Sequence, residues 1–201
     1  MIGKWNKSVI LTYIGLSISI LGIIIVLLNI NIKYAFICFM AAGICDLFDG
    51  TVARRCKRTK EEKAFGIELD SLVDVISFIA LPLVLLGTIT RSIYSLPIFI
   101  IYAIFGIARL AYFNISTPNN NKPVKYYEGL PVTYAALIFP ICFLLSYLIK
   151  ENIFVIIYSI ITLIVGVLFV LKIKVPKPRL IASIILLLSA IVVTLIYLFA
   201  V

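Results

Sequence analysis

The chain has 201 residues, of which 63% are hydrophobic and 13% are charged; its net charge is +9 and it contains no histidine. Because soluble globular proteins have about 25% charged residues, this composition excludes an ordinary soluble domain and indicates an integral membrane protein. The lack of histidine argues against a zinc site with imidazole ligands and against a Ser-His catalytic triad.

Seven apolar runs follow one another along the chain, at residues 8–30, 33–53, 66–90, 94–115, 130–149, 152–171 and 180–201. Each is close to the ~20 residues that a helix needs to cross a bilayer, and none alternates strictly like a barrel strand. Because backbone groups in hydrocarbon must be hydrogen-bonded within their own segment, the runs predict helices. We therefore expect an all-α fold, a polytopic transmembrane bundle of about seven spans that forms one domain over residues 1–201.

The first run follows Lys4 and Lys7 but is longer than the ~7–15-residue apolar core of a secretory signal, and no small-residue cleavage site follows it. We therefore expect it to remain as a span. The four cysteines show neither the spacing of a metal site nor the density of a disulfide scaffold, and are expected to be reduced.

The basic residues mark alternate connections between the runs. With the N-terminus in the cytosol, residues 1–7, 54–65, 116–129 and 172–179 share that side and hold 14 of the 18 Lys and Arg residues. This asymmetry follows the positive-inside rule, so we expect a multi-pass protein of the cell membrane with a cytosolic N-terminus. Basic loops of this kind favour anionic membrane lipids as partners, and no nucleic acid is expected.

Four aspartates lie at the ends of two consecutive runs. Asp46 and Asp49 are three residues apart near the end of the second run, and Asp70 and Asp74 are four apart near the start of the third. These spacings place each pair on one face of a helix, and antiparallel neighbours would bring all four carboxylates together on the cytosolic side. Clustered carboxylates repel one another, so we expect a divalent cation; their oxygens suit Mg²⁺, Mn²⁺ or Ca²⁺.

Two plainer interpretations of this region stay open at this point. The acids pair instead with neighbouring basic side chains, namely Arg54, Arg55 or Lys63. The adjacent Gly50 and Gly66 either let a ligand approach the backbone or serve helix packing alone. Packing is the role that we expect for three other glycines, namely Gly15, Gly22 and Gly87.

Residues 46 to 74 resemble the signature of the CDP-alcohol phosphotransferase family. The pattern DxxDGxxAR followed by GxxxDxxxD is matched by eight residues of fixed type: Asp46, Asp49, Gly50, Ala53, Arg54, Gly66, Asp70 and Asp74. The eleven residues between Arg54 and Gly66 are more than the family pattern has, and the surplus lies in the charged connection between the runs.

The resemblance implies a transferase in which a CDP-linked lipid meets an alcohol and CMP leaves. It implies two divalent ions, with Asp46, Asp49 and Asp70 as the principal ligands. Asp74 is implied as the base that takes the hydroxyl proton and as a further metal ligand. Magnesium and manganese are the expected cofactors, and calcium also suits the ligands.

The same resemblance implies the residues that bind the CDP-lipid. They are Gly50, Ala53, Arg54 and Gly66 of the signature, together with Thr12 of the first run. Arg54 either faces a phosphate or anchors the end of its helix. The lipid is CDP-diacylglycerol or its ether-linked counterpart CDP-archaeol, and relatives of this type are expected to form homodimers.

Three further stretches resemble the phosphatidylserine synthase branch of the family: RLAYFNI at 109–115, EGLPV at 128–132 and LKIKVPKPRL at 171–180. The resemblance covers about residues 8–180, and leaves the last run, 180–201, without a functional interpretation. It implies transfer of a phosphatidyl or archaetidyl group to L-serine. Arg109 lies within a run, where an unpartnered charge is costly. It is expected to bind the serine carboxylate or the lipid phosphate, with Asn114 and Lys125 nearby, or else to pair with Glu128 or Glu68.

The polar stretch 116–128 is expected to be either a flexible loop or a lid over the acceptor site, with Tyr126 and Tyr127 as aromatic residues of the membrane interface. Two other functions compete with serine transfer. One is a related transferase whose acceptor is glycerol 3-phosphate or inositol phosphate, and the other is a cation transporter. Because all four aspartates lie toward one surface, an ion path through the membrane is disfavoured.

Overall fold

The computed structural model describes residues 3–116, 126–176 and 180–199, and seven helices occupy most of these ranges. They are α1 Ile10–Leu27, α2 Ile32–Arg55, α3 Lys60–Thr90, α4 Leu96–Ser116, α5 Ala135–Phe143, α6 Glu151–Val170 and α7 Leu180–Phe199. Five of them, α1 to α4 and α6, are long and apolar enough to cross a membrane, whereas the apolar helices Val132–Tyr147 and Ser183–Phe199 are shorter. The predicted polytopic helical bundle is confirmed.

Helix α3 begins earlier than its apolar run indicates. The run starts at residue 66, but the helix starts at Lys60 because Thr59 caps it. The Thr59 hydroxyl accepts a hydrogen bond from the Glu62 backbone N–H, while the Glu62 carboxylate accepts one from the Thr59 backbone N–H. This reciprocal capping box leaves only residues 56–59 between α2 and α3, so the two helices that carry the aspartates are tightly connected.

A π-helical turn, Ile76–Ala80, interrupts α3 directly after the second aspartate pair. The wider turn is held from two sides. The Tyr102 hydroxyl of α4 donates a hydrogen bond to the Phe78 carbonyl at 2.8 Å, and the Ser19 hydroxyl of α1 donates to the Ser77 hydroxyl at 2.7 Å. These bonds fix the rotation of α3 next to Asp74.

Helices α1 and α2 pack closely through small side chains. A Cβ atom added at Gly15 would lie 3.2 Å from the Cβ of Cys45, and one added at Gly22 would lie 3.1 Å from the Cβ of Cys38. The packing role expected for these two glycines is confirmed. It is wrong for Gly87, where an added Cβ would meet no atom within 4 Å among the described residues.

Two short strands pair with each other, one in the connection after α4 and the other in the connection after α6. Strand β1, Tyr126–Glu128, pairs antiparallel with β2, Lys174–Pro176, with Tyr127 opposite Val175. The sequence did not predict these strands, because three-residue strands within polar connections are too short to show a hydrophobic period. The all-α fold class is unaffected.

Gly129 follows β1 and brings the chain against the end of α6. Its φ is +76°, and an added Cβ would lie 2.3 Å from the Phe169 carbonyl oxygen. The Gly129 N–H donates to the Ile173 carbonyl at 2.9 Å and the Leu130 N–H to the Leu168 carbonyl at 2.9 Å. Only glycine has both the backbone freedom and the small size that this position requires.

We expect Gly129→Ala to lower the free energy of unfolding by more than about 1 kcal/mol, because the methyl group meets a backbone oxygen and the φ is unfavourable. Gly87→Ala is the matched control, and should be neutral or stabilising by up to about 1 kcal/mol because alanine favours a helix. Both variants are measured by thermal unfolding in detergent micelles. The reaction of the cysteines with a fluorescent dye is the signal that monitors unfolding. Equal melting temperatures for the two variants would contradict this account of Gly129.

Candidate active site

One cavity of about 430 Å³ lies among α2, α3, α4, α5 and α7. All four aspartates line it, Asp46 and Asp49 from α2 and Asp70 and Asp74 from α3. The predicted convergence of the two pairs is therefore present in the structure. A volume of this size is typical of a site for a small molecule or for part of a larger ligand.

Three of the four carboxylates form a tight group. One oxygen from each of Asp46, Asp49 and Asp70 lies within 4.8 Å of the others. Asp74 lies outside this group and is in contact with Asp46. Asp49 and Asp74 are buried, with 8% and 9% of their surface exposed, so water screens their charges poorly.

Hydroxyl groups from other helices support the cluster. The Thr12 hydroxyl of α1 donates a hydrogen bond to Asp49 Oδ2 at 3.1 Å. Thr133, just before α5, interacts with Asp46 through its hydroxyl. A carboxylate that accepts such bonds is held in one orientation, as ligands of a metal usually are.

The interpretation of the aspartates as partners of nearby basic residues is wrong. Among the residues that the structure describes, the only salt bridge joins Lys4 to Glu61 at 2.7 Å. Arg54 donates instead to the Thr51 hydroxyl of its own helix at 2.9 Å, although it also lines the cavity. Buried carboxylates that form no salt bridge within the described ranges fit a divalent ion, and a set of oxygen ligands fits a hard one.

Arg109 of α4 lies in the same cavity and is 7% exposed. Its guanidinium lies over the Phe113 ring, 5.0 Å from the centroid, and is close enough to attract Asp74 and Asp46. Its Nε has no hydrogen-bond partner among the described residues. The expected alternative, pairing with a glutamate, is wrong: neither Glu68 nor Glu128 forms a salt bridge with it in the described part of the chain.

The other predicted site residues are divided between the cavity and its surroundings. Gly50, Arg54 and Asn114 line it, and Asn114 Nδ2 donates to the Ser71 hydroxyl at 2.8 Å. Thr12 lies behind Asp49 instead. The lining does not include Ala53 or Gly66. Lys125, like most of the predicted loop or lid, lies outside the described residues.

Several lining residues were not predicted from the sequence. Tyr127 was expected at the membrane interface, but its ring packs edge-on against Phe113 at 5.7 Å and it lines the cavity. Alternation along β1 explains this, because Tyr126 on the other face is exposed. Partial burial raises the pKa of the Tyr127 hydroxyl, so this group remains a hydrogen-bond donor. Helix α7 also contributes Ser183, Leu186, Leu187 and Ala190.

A family model described as CDP-alcohol phosphatidyltransferase matches residues 5–201, which is nearly the whole chain. The chain belongs to this family. The resemblance seen in the signature is thereby confirmed, and the aspartate cluster lies on the residues that carry it. Members of this family generally depend on divalent metal ions.

Curated relatives of this family member share about a third of its residues. A CDP-diacylglycerol–serine O-phosphatidyltransferase of Helicobacter pylori is 34% identical over 170 residues, covering 78% of this chain and 67% of the relative. A protein of the same name from Methanocaldococcus jannaschii is 35% identical over 167 residues, 82% of this chain and 72% of the relative. An archaetidylserine synthase of Methanothermobacter thermautotrophicus is 33% identical over 120 residues, 58% of this chain and 49% of the relative.

We expect Asp70→Asn to weaken Mn²⁺ binding at least about tenfold, since removing even a supporting partner of a metal ligand has an effect of that size. Binding is measured with the purified protein by electron paramagnetic resonance of free Mn²⁺. Glu68→Gln is the matched control, because it removes one negative charge from the exposed side of the same helix. Unchanged Mn²⁺ binding in Asp70→Asn would show that this carboxylate is not a ligand.

Proposed function

We propose that this protein transfers a phosphatidyl or archaetidyl group from a CDP-lipid to the hydroxyl of L-serine, with release of CMP. The observation that carries the proposal is Arg109, a buried cation in the same cavity as the aspartates, whose Nε has no hydrogen-bond partner within the described part of the chain. The names of the relatives support the same donor and acceptor.

The aspartates of the tight group, Asp46, Asp49 and Asp70, would hold the divalent metal, either magnesium or manganese. When bound, it would neutralise the charge of the pyrophosphate, which eases the departure of CMP. Thr12 orients Asp49 from behind, so its contribution to donor binding is indirect. Gly50 and Arg54 line the cavity and would contact the nucleotide or its phosphates.

Asp74 would act as the base. The serine hydroxyl oxygen forms a bond to the phosphorus that carries the lipid, the bond from that phosphorus to the CMP oxygen breaks, and the hydroxyl proton goes to Asp74. Its contact with Asp46 and its attraction to Arg109 support this role, because they relate Asp74 both to the proposed metal ligands and to the proposed acceptor site. A second role of Asp74 as a metal ligand stays a prediction.

Arg109 would bind the serine carboxylate through its planar guanidinium, which matches two carboxylate oxygens. The Phe113 ring beneath it holds the guanidinium plane, and Asn114 adds a polar contact at the same end of the cavity. Glycerol 3-phosphate and inositol phosphate carry a dianion, which would call for more basic residues than Arg109, the one buried arginine among the residues that the structure describes. The role of Lys125 stays a prediction.

We further propose that the N-terminus and the active site face the cytosol, as the distribution of basic residues indicates. Asp46 and Asp49 lie in the second half of α2, and Asp70 and Asp74 lie in the first half of α3; these two halves are joined by the basic connection of residues 56–59. The homodimer implied by the resemblance also stays a prediction.

The assay that tests this function is CMP release by the purified protein from CDP-diacylglycerol, with Mg²⁺ or Mn²⁺ and three acceptors compared. We expect release with L-serine and none above background with glycerol 3-phosphate or inositol phosphate, because Arg109 matches a carboxylate. Release driven by a phosphorylated alcohol would overturn the acceptor assignment, and no release with any acceptor would overturn the transferase itself.

In the same assay we expect the variant Asp74→Asn to lose its activity, because it lacks the proposed base. Loss of a general base lowers the rate by about 10²- to 10⁴-fold, and the melting temperature should stay close to that of the wild type. Full activity in Asp74→Asn would remove this residue from the mechanism.

We expect Arg109→Lys to raise the KM for L-serine by about tenfold or more, because lysine keeps the charge but loses the two-pronged hydrogen bonding. The KM for the CDP-lipid should change much less. Steady-state kinetics with each substrate varied in turn separates the two effects. An increase confined to the CDP-lipid would mean that Arg109 binds the lipid phosphate instead.

A further inference from the structure

The first half of α3 presents one face away from the rest of the bundle. The side chains that are exposed on it follow the spacing of a helix face and include Lys60, Lys63, Ala64, Ile67, Glu68 and Leu72. Ile67 and Leu72 are 53% and 65% exposed, although both are large and apolar. Because α3 is long and apolar enough to cross a membrane, these two side chains would contact lipid. Lys63 lies one turn, about 6 Å, before Ile67, which places the two lysines at the level of the lipid headgroups.

The acidic residues beside these lysines already have partners. Residues 54–63 carry six basic and two acidic side chains, and the acids are Glu61 and Glu62. Glu61 forms the salt bridge with Lys4 at 2.7 Å, and Glu62 accepts the Thr59 backbone N–H at 2.7 Å in the capping box. The two exposed lysines form no salt bridge within the described ranges. The local fold thus occupies both neighbouring acids and leaves the lysines able to attract an anion.

The N-terminal segment brings a tryptophan to the same place. A Cβ atom added at Gly3 would lie 3.3 Å from Trp5 Nε1 and 3.7 Å from Phe65 Cζ, so Trp5 lies next to the first turns of α3. The Trp5 ring stacks on Tyr13 at 5.1 Å and is 67% exposed. Tryptophan favours the membrane–water interface, because its ring is apolar and its N–H is polar. The surface formed by Trp5, Lys60 and Lys63 is called here the basic rim.

The basic rim lies outside the residues that carry the family signature. Lys60 and Lys63 belong to the eleven residues between Arg54 and Gly66, where the family pattern has fewer. Neither lysine lines the cavity of the aspartates, whereas Ile67 on the same face of α3 does. The rim is therefore adjacent to the candidate active site without being part of it, and the chemistry assigned to the cavity does not use it.

We propose that the basic rim binds the phosphate of an anionic lipid headgroup in the surrounding membrane. Two lysines on one helix face supply the charge, and the exposed Ile67 and Leu72 continue that face into the hydrocarbon. Glu68 lies on the same face, five residues beyond Lys63, and offsets only part of this charge. A soluble acidic partner would match the lysines but not the apolar side chains that follow them. The inference goes beyond the proposed function, since it requires neither donor nor acceptor.

Trp5 is the single tryptophan of the chain, so its fluorescence reports on the lipid at the rim. The purified full chain is reconstituted into vesicles of phosphatidylcholine and phosphatidylglycerol, of which only the second is anionic. Bromine atoms on the acyl chains of one lipid or of the other quench the tryptophan on contact. The ratio of the two quenching efficiencies measures the preference of the rim for the anionic lipid, whether or not the protein releases CMP with serine.

We expect Trp5 to contact phosphatidylglycerol in preference to phosphatidylcholine. The double variant Lys60→Gln/Lys63→Gln should lower this preference at least about fivefold, which is the contribution of one lysine near an anionic surface. Lys33→Gln/Lys150→Gln is the matched control, because it removes the same charge at the start of α2 and just before α6, away from the connection between α2 and α3. This control should keep the wild-type preference.

Salt should weaken the preference of the wild-type protein. Between about 0.1 M and about 1 M salt the screening length falls from about 10 Å to about 3 Å, so this arm tests the proposal without any substitution. Equal quenching by the two lipids in the wild-type protein would overturn the proposal and favour a soluble acidic partner for the lysines. A preference that Lys60→Gln/Lys63→Gln retains would also overturn it, as would one that both double variants lose equally.

Discussion

The mutual repulsion of four carboxylates next to hydrocarbon is the constraint on which the site depends. Oxygens of Asp46, Asp49 and Asp70 lie within 4.8 Å of one another, and at an effective dielectric constant of about 20 two charges at that distance repel by about 3.5 kcal/mol. No basic side chain forms a salt bridge with them in the described ranges. The helices must therefore hold the carboxylates together against this repulsion, and a divalent cation would convert it into attraction.

The surrounding fold supplies that restraint through short, specific contacts. Gly15 and Gly22 let α1 approach α2, which brings Thr12 within hydrogen-bonding distance of Asp49. The capping box before α3 shortens the connection to α2, and the bonds to the π-helical turn fix α3 beyond Asp74. Each contact restricts the position of a carboxylate without neutralising it, so the charge remains available to a metal and its substrate.

The two short strands extend this restraint to the side where the acceptor is proposed to bind. Pairing of Tyr127 with Val175 ties the connection after α4 to the connection before α7. On one face the Tyr112 hydroxyl donates to Glu128 at 2.7 Å, and on the other the Tyr127 ring packs against Phe113. Because Phe113 also lies under Arg109, the strand pair and the buried cation form one contiguous set of contacts.

The sequence by itself determined the bundle, the aspartate pairs and the family. Helical spans follow from length and hydrophobicity, because unpaired backbone groups are so costly in hydrocarbon. The i, i+3 and i, i+4 spacings of the aspartates are local properties of a helix. Short-range regularities of this kind are visible in a linear sequence.

Only the tertiary structure decided which side chains meet across helices. Tyr127, Thr133 and Leu187 lie in the cavity because distant segments pack together, and no period in the sequence relates them to Asp46. The same is true of Arg109, whose charge could have been matched by Glu68 or Glu128 until packing placed it beside Phe113 and the aspartates. Such contacts depend on the rotation and tilt of whole helices, which many small packing terms set together.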